Sequence, residues 1–344
     1  MNELKNNLEV TIQELRANSF ISSLLYSRAA IFYPANRLTK GMEKKLIEVA
    51  ESGGTNPENP LGSTVIKSYG KRLEVNLHGD YLLQPHKDVL EAVLAFADTI
   101  QLSEESYKAG ASIKWKDVYA TIPNGSKANA RDDEFDIISD SSSVVLSIGL
   151  YKLSKKLGYS NPADSYLLIE RRLMQLTSAF LYVYELNESD SRINKRLVRF
   201  VEDIRFYHDP SKVTRADASK DKTNHLFLVV DKRLLAAIRD FGYAYRLDHH
   251  KMAKYRTPSL RSFIMFMRTH KPKFLHGKEL DWLIKLYINS IPVSISNPRK
   301  MLAAIRNHVI KNANDVATDF GVYIKKNELG EWKMYALNNS MNEL

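Results

Sequence analysis

Near the C-terminal end, apolar positions recur at three- and four-residue steps in three successive stretches, the spacing that gathers them on one face of a helix. The first, Ser259 to His270, follows Thr257-Pro258 and carries Leu260, Phe263, Ile264 and Met267, so a helix starting just past the proline is predicted. The second, Gly277 to Tyr287, places Leu280, Leu283, Ile284 and Tyr287 in the same way. The third, Ser296 to Asn312, turns Leu302, Ile305 and Val309 inward. Ser296 or Asn297 can cap its free N–H groups, and Pro298 suits the first turn. Strand candidates then take over: Phe320 to Lys326, a turn at Asn327 to Gly330, and Glu331 to Tyr335 predict a hairpin. Helix, helix, helix, hairpin over Lys254 to Leu337 is the order of a winged helix.

Upstream the pattern is more varied. Leu4 to Tyr26 reads as an amphipathic helix with Leu8, Ile12, Leu15 and Phe20 on one side, and Ser52 to Pro60 as loop. Strands are predicted at Thr64 to Lys67 and Arg72 to Leu77, and a helix at Pro85 to Leu102 that buries Val89, Leu90, Val93, Leu94 and Ala97. Ser103 to Ser142 is polar and reads as an insertion. A strand at Val144 to Ile148, a helix at Leu150 to Leu157 closed by Gly158, and a helix at Ser160 to Leu176 follow.

That last helix opens with the same Ser-Asn-Pro as the one at Ser296, and aligning the two puts Tyr166 on Leu302, Ile169 on Ile305 and Leu173 on Val309. A second hairpin is expected from Phe180 to Tyr184, through a polar tip at Asn187 to Arg196, and back along Leu197 to Tyr207. A strand at His225 to Asp231 and a joining helix at Leu234 to Arg246 complete the stretch. The fold expected is α+β, two tandem winged-helix domains, each a helix-turn-helix with a hairpin wing. Residues 1–72 lead in, 73–246 form the first domain with its insertion at 103–142, 247–337 the second, and 338–344 a tail.

Charge singles out the second domain. The chain carries 50 Lys+Arg and 40 Asp+Glu, net +10. From Lys251 onward there are 16 against 7, net +9, and the first 250 residues hold 34 against 33, net +1. Nearly all the excess therefore sits where the winged helix is predicted, as a phosphate-binding surface requires. On the third helix the outward positions are Arg299, Lys300, Ala303, Arg306, Asn307 and Lys311, a set able to meet base edges in a major groove, with Arg306 the base-reading arginine. The same residues could also be an ordinary solvated face. Lys325, Lys326 and Lys333 put positive charge on the wing. In the first domain the positions matching Arg299, Lys300 and Arg306 are Ala163, Asp164 and Glu170. Only Arg171, Arg172 and, on its wing, Arg192, Lys195 and Arg196 are basic there, so that domain is expected to add phosphate contacts or to self-associate.

Other chemistry finds no support. With no cysteine, disulfides and thiolate metal sites are excluded. There is no Gly-x-x-x-x-Gly-Lys-Ser/Thr loop and no His-x-His pair of the kind rolling-circle nickases use. His249 and His250 are adjacent and read as polar residues between domains. The acids Asp132, Asp133, Glu134 and Asp136 lack a nearby histidine and read as solvated, so no metal, cofactor or enzymatic activity is expected. The opening residues lack an apolar core of signal-peptide length, and no apolar run approaches the ~20 residues of a membrane span. A soluble, cytoplasmic protein without a membrane role is expected.

Four stretches together resemble the TrfA-type, or RepA-like, initiators of plasmid replication: Leu82 to Ala97, Leu150 to Tyr159, Val229 to Leu234, and above all Lys254 to His270. The insertion at 103–142 departs from that pattern. Gln101-Leu102-Ser103 begins like a sliding-clamp peptide but continues with two glutamates, so clamp binding is not carried over. The resemblance implies binding of duplex DNA at repeated origin sites (iterons), opening of an adjacent AT-rich stretch, recruitment of a host initiator and replicative helicase, and a monomer–homodimer balance that limits copy number. A winged-helix transcription regulator and a winged-helix scaffold that binds only protein are the alternatives.

Overall fold

The computed structural model of the chain describes residues 8–11, 19–54, 58–68, 70–122, 138, 143–207, 224–232, 235, 244–248, 252, 254–255 and 257–336. The architecture is α+β with antiparallel sheets. The chain divides into two compact units that interleave along the sequence. One contains residues 1–21, 88–177 and 199–246, the other 22–87, 178–198 and 247–344. The expected division at residue 246 therefore does not describe it: two upstream segments belong to the same unit as the C-terminal helices.

The first unit is built on a five-stranded sheet in the order Leu8–Thr11, Asp98–Leu102, Ser143–Gly149, His225–Asp231, Asp203–Tyr207. Its central strands are near-continuous apolar runs, buried from Ser143 to Ile148 and from Leu226 to Val230, and paired Leu226 to Ile148 and Leu228 to Leu146. Short runs of this kind suit strands covered on both faces.

Three expectations change here. Among the described residues, the stretch read as a helix at Leu4 to Tyr26 is strand at Leu8–Thr11 and at Ser19–Ser23, and a short helix covers Leu24–Arg28. Leu8 to Thr11 pairs with Leu102 to Thr99, and that sheet partner outweighs the helical periodicity. The helix expected to reach Leu102 ends at Phe96, and Asp98–Leu102 becomes a strand. The insertion is in part core. Helices Glu104–Lys108 and Trp115–Tyr119 bring Ile113, Trp115, Val118 and Ile122 against Ile100, Val145, Phe227 and Val229. The acids at 132–136 lie outside the described residues, as do His249, His250 and most of the joining helix expected at Leu234 to Arg246, whose end, Ala244–Asp248, is strand.

The second unit places the C-terminal helices with a four-stranded sheet in the order Gly62–Ser68, Lys71–His78, Phe180–Leu186, Arg192–Arg199. The hairpin expected to be the first wing is thus part of a larger sheet. Its tip is only Asn187 to Ser191, and Arg192, Lys195 and Arg196 lie on the return strand, not in the loop. Asp203–Tyr207, expected to continue that strand, leaves for the other sheet. The Thr64 hydroxyl donates to the Asn289 carbonyl at 3.0 Å, joining the sheet to the second C-terminal helix. Gly62 allows this approach, since a Cβ there would lie 2.4 Å from the Pro292 carbonyl oxygen.

His78 is fully enclosed in this unit, stacked on Phe180 at 5.3 Å and edge-on to Tyr182 at 5.0 Å, and neither ring nitrogen finds a hydrogen-bond partner. Burial, and then the Lys195 ammonium, hold its pKa below the ordinary 6.5. The unfolded chain therefore binds this proton more readily than the folded one, and the destabilisation sets in as pH falls below about 6.5. In urea unfolding followed from pH 7.5 to 5.5, His78→Leu is expected to lose less stability than wild type. An equal loss would show that His78 does not couple to folding.

Three C-terminal helices, Pro258–Arg268, Leu280–Ser290 and Pro298–Lys311, pack as the sequence predicts. Phe263 and Phe266 meet Tyr287 with ring centroids 5.6 and 5.3 Å apart. A further helix, Ala313–Phe320, is not anticipated by the pattern. It ends on Gly321, whose φ of 67° supplies the left-handed cap. Its Asp319 is held by the Tyr255 hydroxyl, which donates at 3.1 Å, and by Lys254 at 3.5 Å. Burial and the Asp319 carboxylate push the Tyr255 pKa well above the ordinary phenol range, so this tyrosine stays a donor.

Candidate nucleic-acid interface

The third C-terminal helix opens as its sequence dictates. Asn297 is the cap, its side-chain oxygen accepting from the Lys300 N–H at 2.9 Å, and Pro298 occupies the first turn. That start sets the rotation of the helix. Ile305 and Val309 are buried, Leu302 is half-buried, and Lys300, Ala304, Asn307 and Lys311 are exposed at steps of four, three and four residues. Arg299 is exposed at the N-terminal end. The exposed stripe is thus two lysines, an asparagine and an alanine, with an arginine at the end where recognition helices approach bases. No ion pair among the described residues holds Arg299, Lys300 or Lys311.

Two predicted positions are displaced from that face. Ala303 is half-buried, and the exposed small residue is Ala304, one step on and absent from the sequence-based set. Arg306 turns toward the second helix, where its guanidinium donates to Asp281 Oδ2 at 2.9 Å. Both side chains are about one-third exposed, a setting in which such a pair contributes ~0–1 kcal/mol. A partner 25 residues away gave no local signal of this contact. To read a base, Arg306 would first have to leave Asp281. Arg306→Ala is therefore expected to cost less duplex affinity than Lys300→Ala, measured by fluorescence anisotropy. A larger loss for Arg306 would restore it to the base-reading role.

The hairpin pairs Val322–Lys326 with Trp332–Ala336. Strand alternation splits its lysines. Val322, Ile324, Met334 and Ala336 are buried, and the opposite face carries Tyr323 across from Tyr335 and Lys325 across from Lys333. Lys326 falls on the other side, 5.5 Å from the Trp332 ring centroid. Like charges directly opposite each other destabilise a bare hairpin, and a bound anion removes that penalty. Lys333 is partly compensated by Glu331 at 3.7 Å, and Lys325 sits 5.7 Å from the Tyr323 ring centroid. The base of the hairpin is anchored: the Gly277 N–H donates to the Met334 carbonyl at 2.8 Å, and the Met334 N–H donates to the Lys278 carbonyl at 2.9 Å.

The upstream basic residues are largely engaged. Arg192 makes a two-pronged pair with Glu74, Nη2 to Oε1 at 2.6 Å and Nε to Oε2 at 2.8 Å, over the Tyr184 ring. This contact holds the Glu74 carboxyl below its usual range. Lys195 stands 3.9 Å from the Tyr182 ring centroid. Arg172 donates to the Tyr159 hydroxyl. Arg171 and Arg196 are exposed. On the helix Tyr166–Ser178, Tyr166, Ile169 and Leu173 are buried as aligned, but Leu167, Leu168 and Met174 are exposed beside Arg171, so this face is mainly apolar.

Composition also conceals a lysine-rich aromatic rim on the C-terminal helices. Phe274 and Trp282 are exposed with rings 5.9 Å apart, Lys278 lies 5.9 Å from Trp282, and Lys271, Lys273 and Lys285 are exposed in the same stretch. Among the described residues no group of acids and histidines could hold a metal ion, and no helix is long and apolar enough to cross a membrane.

No protein-family model matches the chain, and no curated protein matches it. Among solved structures it is similar to domains 2 and 3 of RctB, in a selenomethionine crystal structure, with TM-score 0.40 and 9% identity over 79% of this chain and 88% of that one. A second crystal structure of RctB domains 2–3 gives TM-score 0.40 and 8% identity over 81% and 91%. At that TM-score the likeness decides neither fold nor role.

Proposed function

We propose that the chain is a duplex-DNA-binding protein of the replication-initiator type, whose C-terminal winged helix grips the double helix. The observation that carries this reading is the exposed Lys300–Ala304–Asn307–Lys311 stripe, capped by Arg299, on a helix followed by a lysine-bearing hairpin. Small and amide side chains leave room for base edges, and the flanking cations meet phosphates. The +9 charge from Lys251 onward supplies the long-range attraction.

In this reading the protein acts by binding, not by catalysis. It recognises repeated sites in a plasmid origin, as the TrfA-type resemblance implies, promotes opening there, and brings in the host initiator and helicase. The part read as a first winged helix makes secondary phosphate contacts through Arg171 and Arg196, or pairs two copies. Its other basic residues are already engaged within the protein.

The test is a gel shift of the full chain on duplex fragments of the DNA beside its gene, including any direct repeats there, against a scrambled duplex, over a range of salt. Preferential retention of the repeats, weakening steeply as salt rises, is expected. No salt-sensitive retention on either duplex would favour a protein-binding scaffold. A transcription regulator would bind equally well, so a plasmid bearing only this gene and those repeats must also replicate in a host lacking other copies.

A further inference from the structure

We infer that Leu329, at the tip of the C-terminal hairpin, is an apolar wedge that enters the minor groove of bound DNA, parts a base step and bends the duplex. The inference rests on the duplex-binding reading above. Leu329 is 83% exposed, more than any other large apolar side chain among the described residues.

The turn itself does not call for it. Two hairpins of the second unit, Phe180–Leu186 with Arg192–Arg199 and Val322–Lys326 with Trp332–Ala336, close in the same way. In one, the Ser191 N–H donates to Asn187 Oδ1 at 2.8 Å and the Asn187 N–H to the Ser191 carbonyl at 3.0 Å, with Asp190 at φ 62°. In the other, the Glu331 N–H donates to Asn327 Oδ1 at 2.8 Å and the Asn327 N–H to the Glu331 carbonyl at 2.8 Å, with Gly330 at φ 82°. The position occupied by Leu329 is Ser189 in the first hairpin. The same turn is therefore built with a small polar residue there, and the leucine needs another reason.

The tip also has the stiffness a wedge requires. Besides those bonds, the Gly330 N–H donates to the Asn327 carbonyl at 3.0 Å, and the Asn327 side-chain amide donates to Glu331 Oε2 at 2.9 Å. Leu329 is thus presented outward from a fixed loop. Behind it stand Lys325, Lys326 and Lys333, the cations that would straddle the two phosphate strands while the leucine goes between them. Glu328 beside it opposes DNA, whereas the carboxylate of Glu331 is already engaged by Asn327 and Lys333. Leucine is among the residues that proteins insert at minor-groove steps to kink DNA by ~20–90°.

The test uses the full chain and a duplex selected by the wild-type protein from a randomised pool, end-labelled with a donor and an acceptor dye. Wild type is expected to raise energy transfer on binding, reporting a bend of at least ~20°. Leu329→Ala is expected to keep affinity within about tenfold yet lose the bend, and Leu329→Met to keep both, since methionine also serves as a wedge. An unchanged bend in Leu329→Ala, or binding by wild type without bending, overturns the wedge and leaves duplex binding intact. Failure of wild type to enrich any duplex overturns the functional reading and the wedge with it.

Discussion

Alanine at Arg299, Lys300 and Lys311 together is expected to lower duplex affinity by about 10- to 100-fold at near-physiological salt and to flatten its salt dependence by about two to three units of log K per log [salt]. Each side chain is exposed, and none has an ion-pair partner to lose among the described residues, so the folded protein should tolerate the change. Each phosphate that a cation neutralises releases condensed counterions, and removing three contacts removes that share of the slope. Anisotropy titrations at four salt concentrations give the slope, and thermal unfolding shows that folding is intact. A slope equal to that of wild type would mean that the face of this helix does not meet phosphates, and the functional reading would then lose its main support. Arg306→Ala serves as the internal contrast, because its charge is already shared with Asp281.

Trp115→Ala is expected to destabilise the first unit by about 3–5 kcal/mol. The indole is 1% exposed, edge-on to Phe227 at 6.2 Å and stacked near Tyr119 at 5.9 Å, with the Arg205 guanidinium 4.3 Å from its ring centroid. Truncation leaves a cavity lined by Ile113, Val118, Ile122 and Phe227, and it strips the arginine of its aromatic partner. Were the segment after Ser103 a dispensable surface loop, the same change would stay within about 0.5 kcal/mol. Urea unfolding monitored by far-ultraviolet circular dichroism distinguishes the two. With two compact units the transition must be fitted for each unit separately.

Local patterns made much of the C-terminal region legible. The step of three and four residues located its three main helices, and the Asn297-Pro298 pair fixed where the third begins. The hairpin was legible from its strand candidates and from Gly330. What escaped depends on partners distant in sequence. Leu8–Thr11 looks helical alone and becomes strand only beside Asp98–Leu102. Asp98–Leu102 itself continues a helical spacing, so the break at Ala97 is hidden.

Ile113, Trp115, Val118 and Ile122 are too thinly spread among polar neighbours for composition to reveal a core. The strand Arg192–Arg199 reads as a free wing until Lys71–His78 and Gly62–Ser68 extend its sheet. In the candidate site, the buried Ile305 and Val309 and the exposed Arg299, Lys300, Asn307 and Lys311 were readable, and the settings of Ala303 and Arg306 were not. One step separates Ala303 from Ala304, and a long-range acid takes Arg306 off the exposed stripe.

The backbone bonds from Gly277 and Lys278 to Met334 have a consequence for speed as well as strength. They tie the ribbon to the start of the helix Leu280–Ser290, so its place is set before any partner arrives, like a calliper arm locked at one width. On the duplex-binding reading, little freedom of the ribbon is then left to freeze on docking. On the same reading, loss of the bonds at Gly277 and Lys278 would show up first as slower capture.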